Sequence, residues 1–150
     1  MNGYYSSQVQ ARAGLLDERP SSRPERGSAP ERAGANVPLD MNQLVYRCLG
    51  RIELAERLLA SFESRFPDTL AQIEECRFTE DRENLARLVH QLKGSAANVS
   101  APALHGVAMR IEDAIHAGDA EAFAREINAA HAAWAEFTDF KQANYPRVPG

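Results

Sequence analysis

The sequence is poor in several features that would point to particular classes of protein. It has only two cysteines among 150 residues, Cys48 and Cys76, so it indicates neither a disulfide framework nor a cysteine-rich metal site, and a reducing compartment is favoured. No apolar run approaches the roughly 20 residues that a membrane span needs. The N-terminus shows no basic stretch followed by an apolar one. We therefore expect a cytoplasmic protein with no membrane partner.

An excess of positive charge is also missing, and with it the usual signature of a nucleic-acid binder. Lysine and arginine number 17 against 21 acidic residues, which leaves a net charge of −4. Nucleic-acid-binding domains normally carry a basic patch and a high pI, so no such partner is predicted. No glycine-rich nucleotide loop occurs. The four histidines are scattered rather than grouped with carboxylates on one helix face, so no metal site is predicted either.

The composition divides the chain into a domain and two tails. Residues 1–38 hold four of the eight prolines, several glycines and serines, and no apolar periodicity. Such a segment buries too little apolar surface to offset its ordering entropy. We predict a disordered tail over 1–38, one folded domain over 39–143 and a flexible C-terminal tail over 144–150.

Within the predicted domain, apolar residues recur at intervals of three and four, which is the period of amphipathic helices. No alternating strand pattern competes. A short first helix follows Asp40, a predicted N-cap for which Gln43 completes a capping box. A second helix of about four turns comes next. Pro67 is expected to bend or restart the chain before a third helical segment around Leu70 and Ile73.

The second half of the chain carries clearer helix boundaries. One helix is predicted to begin at Thr79 or Asp81 and to end near Val99. Ser100 is expected to cap the following helix, Gly118 to end it and Asp119 to cap the last helix. Four long helices joined by short loops pack best as an antiparallel bundle. We therefore predict an all-α fold, an antiparallel four-helix bundle with a short extra N-terminal helix.

One histidine stands apart from the apolar stripe of its helix. At roughly 100° per residue, His90 lies about 140° away from Leu85, a member of the stripe. A mid-helix glycine such as Gly94 costs about 1 kcal/mol relative to alanine, and close approach of another body to the imidazole would explain it. The stripe consists of Leu85, Leu88, Val89, Leu92, Ala96 and Val99. The neighbours of His90 on the helix surface are Ala86, Lys93, Gly94 and Ala97, three of them small.

These residues resemble the histidine phosphotransfer (HPt) domain, whose pattern is roughly H-x-L-K-G-[SA]-[SA]-x-x-x-G-x-x-x-L. The resemblance spans about 100 residues, from Leu39 to about Lys141. One departure is visible, because Ser100 stands where the family usually has a glycine. The positions that match the pattern are His90, Leu92, Lys93, Gly94, Ser95 and Leu104. Further agreement comes from Asp81, from Arg110-Ile111-Glu112 and from Ala117-Gly118-Asp119.

The resemblance implies a phosphocarrier rather than an enzyme with its own turnover. By this resemblance, His90 would accept a phosphoryl group on Nε2 from a receiver-domain aspartate or a sensor kinase. It would then pass the group to another response regulator. Lys93 would stabilise the phosphate and Gly94 would give access to the ring. The expected partners are response-regulator receiver domains and a hybrid sensor histidine kinase. No cofactor is expected on this chain, since Mg²⁺ belongs to the partner receiver domain. Ala86, Arg87 and Ala97 would form part of the docking surface, and Gln91 or Ser95 would hydrogen-bond the ring or the phosphate.

Two other interpretations stay open at this point. In one, the chain is a helical-bundle adaptor that binds receiver domains or other partners without transfer, and His90 is an incidental surface residue. In the other, it is a degenerate relative that binds a receiver and regulates it, which the presence of both His90 and Lys93 disfavours. The remaining histidines are interpreted as surface or boundary residues, and Trp134 as a core residue.

Overall fold

Five helices and no strand make up the part of the chain that the computed structural model describes, residues 34, 36–77, 79 and 81–146. The predicted all-α class is confirmed. Most of the predicted N-terminal tail and the end of the C-terminal tail lie outside the described residues, so the domain limits stay predictions. The helices are α1 (Met41–Arg47), α2 (Ile52–Cys76), α3 (Arg82–Asn98), α4 (Pro102–Ala117) and α5 (Ala120–Asn144).

The four long helices form a closed bundle in which each helix packs on the next along the chain and α2 meets α5. The α2–α5 seam is aromatic: the rings of Phe66 and Trp134 stack with their centroids 4.7 Å apart, and Phe62 meets Phe137 edge-on at 5.4 Å. Trp134, predicted as a core residue, is half-buried and packs against the core. Such aromatic pairs add to the area that they bury.

Polar side-chain contacts along the same seam show that α2 and α5 run in opposite directions. Lys141, near the end of α5, meets Glu63 in the first half of α2 at 2.9 Å. His131, earlier in α5, meets Glu74 near the end of α2 at 3.1 Å. The antiparallel arrangement that the short connections predicted is therefore present.

Helix α1 lies across the end of the bundle where α3 passes into α4. Leu44 on α1 is fully buried in the common core. Asp40 caps α1, since its side chain accepts from the N–H of Gln43 at 3.1 Å. The reciprocal half of the predicted capping box is wrong: the N–H of Asp40 donates to the carbonyl of Ser100, and Gln43 Oε1 is buried without a partner. Contact with the α3–α4 turn has replaced the local bond.

The restart expected as one of two outcomes at Pro67 is wrong, because the proline lies inside α2, a single helix of 25 residues. The segment around Leu70 and Ile73 is therefore the second half of α2 rather than a separate helix. Phe62 and Phe66 before the proline and Leu70 and Ile73 after it are all buried. This continuous apolar face holds the helix together across a residue that destabilises helix interiors.

The predicted boundaries of the helices later in the chain are confirmed except at Ser100. Asp81 and Asp119 cap α3 and α5 through their side chains, and Gly118 ends α4 in the left-handed conformation. Ser100, however, does not cap α4: Ala101 is the N-cap, and no side chain bonds to the first turn. Ser100 instead takes a left-handed φ of 60° in the turn between α3 and α4.

Candidate functional site

Helix α3 presents His90 to solvent because its apolar face is used by the core. Leu88, Val89, Leu92 and Ala96 are buried against the other helices. His90 is exposed on the other side of α3, as its distance from the apolar stripe predicted. The Asp81 cap at the N-terminus and the packed stripe together fix the direction in which the imidazole points away from the bundle.

The surface beside His90 is open on the side of Gly94. A methyl group placed on Gly94 would meet no atom of the described residues within 4 Å beyond the backbone of its own helix and its two neighbours in the chain. Packing inside the protein therefore does not require a glycine here, although a glycine in a helix costs stability. Ala86, one turn earlier, is exposed, and Ala97, about two turns later, is half-buried. Small residues thus leave the imidazole accessible along its helix.

Lys93 lies one turn after His90, and its ammonium group is held by a carboxylate of the next helix. Lys93 Nζ is 2.9 Å from Glu112 Oε1 on α4, and both side chains are about three-quarters buried. The sequence placed Lys93 beside the imidazole, and the structure adds that its ammonium group is already in an ion pair.

Glu112 is a member of this site that the sequence did not single out. The hydrogen bond from Lys93 lowers the pKa of Glu112, burial opposes this, and the positive charges of Lys93, His116 and His90 lower it further. His90 and His116 therefore lie close enough to act on the carboxylate. Glu112 belongs to one of the short matches to the family pattern, but which residue of α4 lies opposite Lys93 depends on how α3 and α4 pack.

The other residues expected at the site are placed differently from one another. Ser95 is half-buried, and its hydroxyl donates to the carbonyl of Leu92 at 3.0 Å, so it is occupied within its own helix. Arg87 donates to Asn84 Oδ1 at 2.6 Å, toward the start of α3. Gln91 is exposed next to His90. Of the three, Gln91 is the side chain that lies open to solvent without a bond inside α3.

One further cation reaches this side of α3 from outside the predicted set. Arg47, the last residue of α1, donates to the carbonyl of Ala97 at 2.6 Å. Ala97 lies about two turns from His90 on the same side of the helix. The end of α1 therefore borders the surface on which His90 lies, and no local sequence signal marked this contact.

The imidazole of His90 is exposed on the surface of α3. Two grooves of about 760 and 790 Å³ run along the bundle, and neither is lined by His90, Lys93 or Glu112. Enzyme sites for small molecules are usually concave and bury most of the ligand. An exposed imidazole on a convex helix suits a reaction with a group that another protein carries.

Neither a metal centre nor a membrane-spanning helix is found among the residues that the structure describes. Among them, no group of three or more His, Cys, Asp or Glu side chains is placed to hold a metal ion. None of the helices in this part of the chain has the length and apolar content to cross a bilayer. Cys48 and Cys76 are both free thiols.

Comparison with known proteins identifies one family. The family model described as the Hpt domain matches residues 57–140, which is more than half of the chain and includes all of α3 and α4. Neither the curated proteins nor the solved structures include a match to this sequence.

Proposed function

Because the chain belongs to the Hpt domain family, whose members carry phosphoryl groups on histidine in two-component phosphorelays, we propose that His90 is the residue that receives and releases the phosphoryl group. The observation that carries this proposal is the position of His90, which is exposed on the outer face of α3 beside a glycine that packing does not require. His90 is also the histidine that matches the family pattern.

The proposed reaction is a transfer between two proteins. An unprotonated imidazole is a nucleophile, and that of His90 is exposed to solvent. Nε2 of His90 attacks the phosphorus of an aspartyl phosphate on a receiver domain. The N–P bond forms as the P–O bond breaks, the electron pair leaves with the aspartate carboxylate, and the Nδ1 proton stays on the ring. The reverse of this step delivers the group to a second receiver.

The division of labour follows from the chemistry of phosphoryl transfer, which depends mainly on in-line positioning and neutralisation of charge. This chain supplies the nucleophile and, through Lys93, one positive charge. The receiver supplies the aspartate, and we expect the Mg²⁺ ion to be bound there as well. His90 then acts as a carrier that cycles between two forms, and the chain needs no turnover of its own.

The open surface around His90 supports docking of a receiver domain. Ala86, Gly94 and Ala97 keep side-chain bulk away from the ring, and Gln91 extends beside it. Arg87 and Ser95 are bonded within α3 and contribute to the shape of this surface. A binding-only adaptor would use the same surface, so transfer has to be measured directly.

The deciding experiment is transfer from a panel of receiver domains charged with labelled phosphate, with wild type compared with His90→Gln. We expect label on wild type that is stable in base, lost in acid and absent from His90→Gln. His116→Gln serves as the matched control, because this histidine is also exposed but lies on α4. Receivers that bind wild type without labelling it would favour the adaptor, and label that persists on His90→Gln would assign the acceptor to another residue.

A further inference from the structure

We propose that Lys93 exchanges partners during each transfer cycle: Glu112 holds its ammonium group while His90 is unmodified, and the phosphoryl group takes it over once it is bound to His90. Glu112 is then a positioning residue that sets how strongly the domain retains the phosphoryl group on His90. This inference rests on the proposed phosphorylation of His90. The experiments below distinguish a failure of the inference from a failure of that proposal.

The first support is geometric. Residues three apart on a helix have Cβ atoms about 5–6 Å from each other on the same face, so Lys93 and His90 are neighbours. The Nζ atom of Lys93 is 2.9 Å from Glu112 on the facing helix. A lysine has a flexible four-carbon stem and a compact charged end. Rotations within one side chain are therefore enough to move the ammonium from the carboxylate to a group on the imidazole.

The second support is the balance of charge. Without phosphate, Lys93 and Glu112 form a neutral pair. A phosphoryl group brings nearly two negative charges and three strong acceptor oxygens. It therefore attracts the ammonium more strongly than a single carboxylate does. Since the ion pair must loosen before Lys93 can turn to the phosphoryl group, Glu112 weakens the hold of the domain on its cargo.

The third support is that Glu112 and His90 already interact. The positive charge of His90 is among the causes that lower the pKa of Glu112. The charge on the side chain of His90 therefore has an electrostatic effect on the carboxylate that pairs with Lys93. The carboxylate of Glu112 and a phosphoryl group on His90 are both negatively charged. They therefore compete for the ammonium group of Lys93.

The proposal predicts a change in the transfer equilibrium. With the receiver domain that labels wild type most strongly, we expect Glu112→Gln to shift the equilibrium toward phosphorylated His90 by about two- to fivefold, the size expected for the loss of one partly exposed ion pair. Lys93→Gln should shift it in the opposite direction. Asp113→Asn is the matched control, since it removes one acidic charge from an exposed neighbour on α4 and should change the equilibrium little.

A double substitution decides whether Glu112 acts through Lys93. In the Lys93→Gln background, Glu112→Gln should have almost no further effect on the equilibrium. If Glu112→Gln retains its full effect there, the carboxylate acts directly on the phosphoryl group and partner exchange is overturned. The same holds if Glu112→Gln and Asp113→Asn shift the equilibrium equally, because the effect would then come from net charge alone.

The lysine ammonium groups can be observed directly, because Lys93 and Lys141 are the only two lysines in the sequence. In protein labelled with ¹⁵N-lysine, Lys141, paired with Glu63, serves as the internal reference. Charging His90 with phosphoramidate, which transfers its phosphoryl group to the imidazole and releases ammonia, should shift the Lys93 Nζ signal and leave that of Lys141 in place.

The outcomes separate this inference from the proposed function. A Lys93 signal that does not move although His90 becomes phosphorylated would overturn partner exchange and leave the carrier function intact. Failure of every receiver to label wild type would overturn the carrier function, whatever the lysine spectra show. A Lys93 shift that is absent from the His90→Gln variant treated in the same way supports the exchange.

Discussion

At the scale of single residues, three positions on α3, α4 and the turn between them have unusual conformations or contacts. Two of them cost stability, and the third neutralises a positive charge near His90. Gly94 lies in the middle of a helix with open space where a side chain would be. Ser100 adopts a left-handed backbone conformation with its hydroxyl buried and unbonded. Glu112 binds the cation next to His90. Each makes a separate prediction.

Gly94→Ala should stabilise the protein and slow transfer. Alanine is favoured over glycine in a helix by up to about 1 kcal/mol, and its methyl group would meet none of the described residues beyond the backbone of its own helix and its two neighbours in the chain. If a partner approaches His90 across this position, the methyl group should slow transfer by about three- to tenfold, because small misplacements of reacting groups are costly.

The control for Gly94→Ala is Gly106→Ala, at a mid-helix glycine of α4 whose added methyl would make only an ordinary contact with Arg110 at 3.6 Å. Urea unfolding should show a similar gain in the free energy of unfolding for both variants. Labelling rates should fall for Gly94→Ala alone. Equal rates in the two variants would show that no partner approaches over Gly94.

Ser100→Gly should stabilise the fold for two reasons that a second variant separates. A left-handed conformation costs a residue with a Cβ about 1 kcal/mol or more, and a buried hydroxyl without a hydrogen bond costs about 1–3 kcal/mol. Ser100→Ala removes the hydroxyl but keeps the strained backbone. We expect the free energy of unfolding to rise for both variants and more for Ser100→Gly. A higher value for the alanine variant would contradict the backbone argument.

The stability contributed by Glu112 should depend on pH. The pKa of Glu112 is lowered in the folded protein from an ordinary value of 4.5, chiefly by the hydrogen bond from Lys93. A carboxyl group of this kind adds stability above its unfolded pKa and loses it as the pH falls through its folded pKa. Glu112→Gln should therefore lower the free energy of unfolding by up to about 1 kcal/mol at about pH 7.

Urea unfolding of wild type and Glu112→Gln over a series of pH values measures this contribution. The difference between the two proteins should shrink once the pH falls below 4.5 and vanish in stronger acid, where the carboxyl is protonated in both folded and unfolded wild type. A difference that persists unchanged into strong acid would mean that glutamine alters packing rather than an ion pair.

At the scale of secondary structure elements, α2 shows how a packed face overrides a local signal. A proline has no N–H for the carbonyl four residues earlier, and its ring crowds that carbonyl. The expectation of a bend or restart at Pro67 followed from these local facts. The helix nevertheless continues, because Phe66 and Leu70 on either side are buried in the same core, and burial of large apolar side chains contributes about 1.5–3 kcal/mol each.

Pro67→Ala is expected to raise the free energy of unfolding by about 1–3 kcal/mol, since it restores a backbone donor and removes the ring from an exposed position of a continuous helix. Ser64→Ala, an exposed change one turn earlier in α2, should raise it by only a few tenths of a kcal/mol. Denaturant unfolding of both variants measures the difference. If Pro67→Ala is neutral or destabilising, α2 relies on the proline in a way that its surroundings do not explain.

At the scale of the whole molecule, the N-terminal side of the domain is joined to the bundle by backbone bonds. The carbonyl of Val37 accepts from the N–H of Ala103 in α4, and the N–H of Asp40 donates to the carbonyl of Ser100. Leu39 between them is buried in the core. Helix α1 is thus attached at the α3–α4 turn, which is the end of the bundle that borders the His90 surface through Arg47.

Truncation tests where the functional unit begins. Deletion of residues 1–33 should leave the free energy of unfolding and the rate of labelling unchanged. Deletion of residues 1–40 removes buried Leu39 and the cap of α1, and should lower the free energy of unfolding by about 2–5 kcal/mol, the range for large losses of core side chains. Slower labelling after deletion of residues 1–33 would show that this segment takes part in transfer rather than serving as a linker.

The sequence by itself determined the features that depend on neighbours along the chain. Apolar periodicity predicted the helices and the all-α class, and Asp81, Asp119 and Gly118 marked helix ends because capping is a local interaction. The same periodicity placed His90 on the exposed side of α3. The match between its surroundings and the Hpt pattern identified the family, since that pattern is also a run of neighbouring residues.

Tertiary structure alone decided the features that depend on residues far apart in sequence. The pairing of Lys93 with Glu112, the reach of Arg47 to Ala97 and the strained turn at Ser100 each require helices to be brought together. Local preferences predicted a cap at Ser100 and, as one of two outcomes, a restart at Pro67. Both were overruled because burial of a continuous core outweighs the smaller cost of a strained turn or an internal proline.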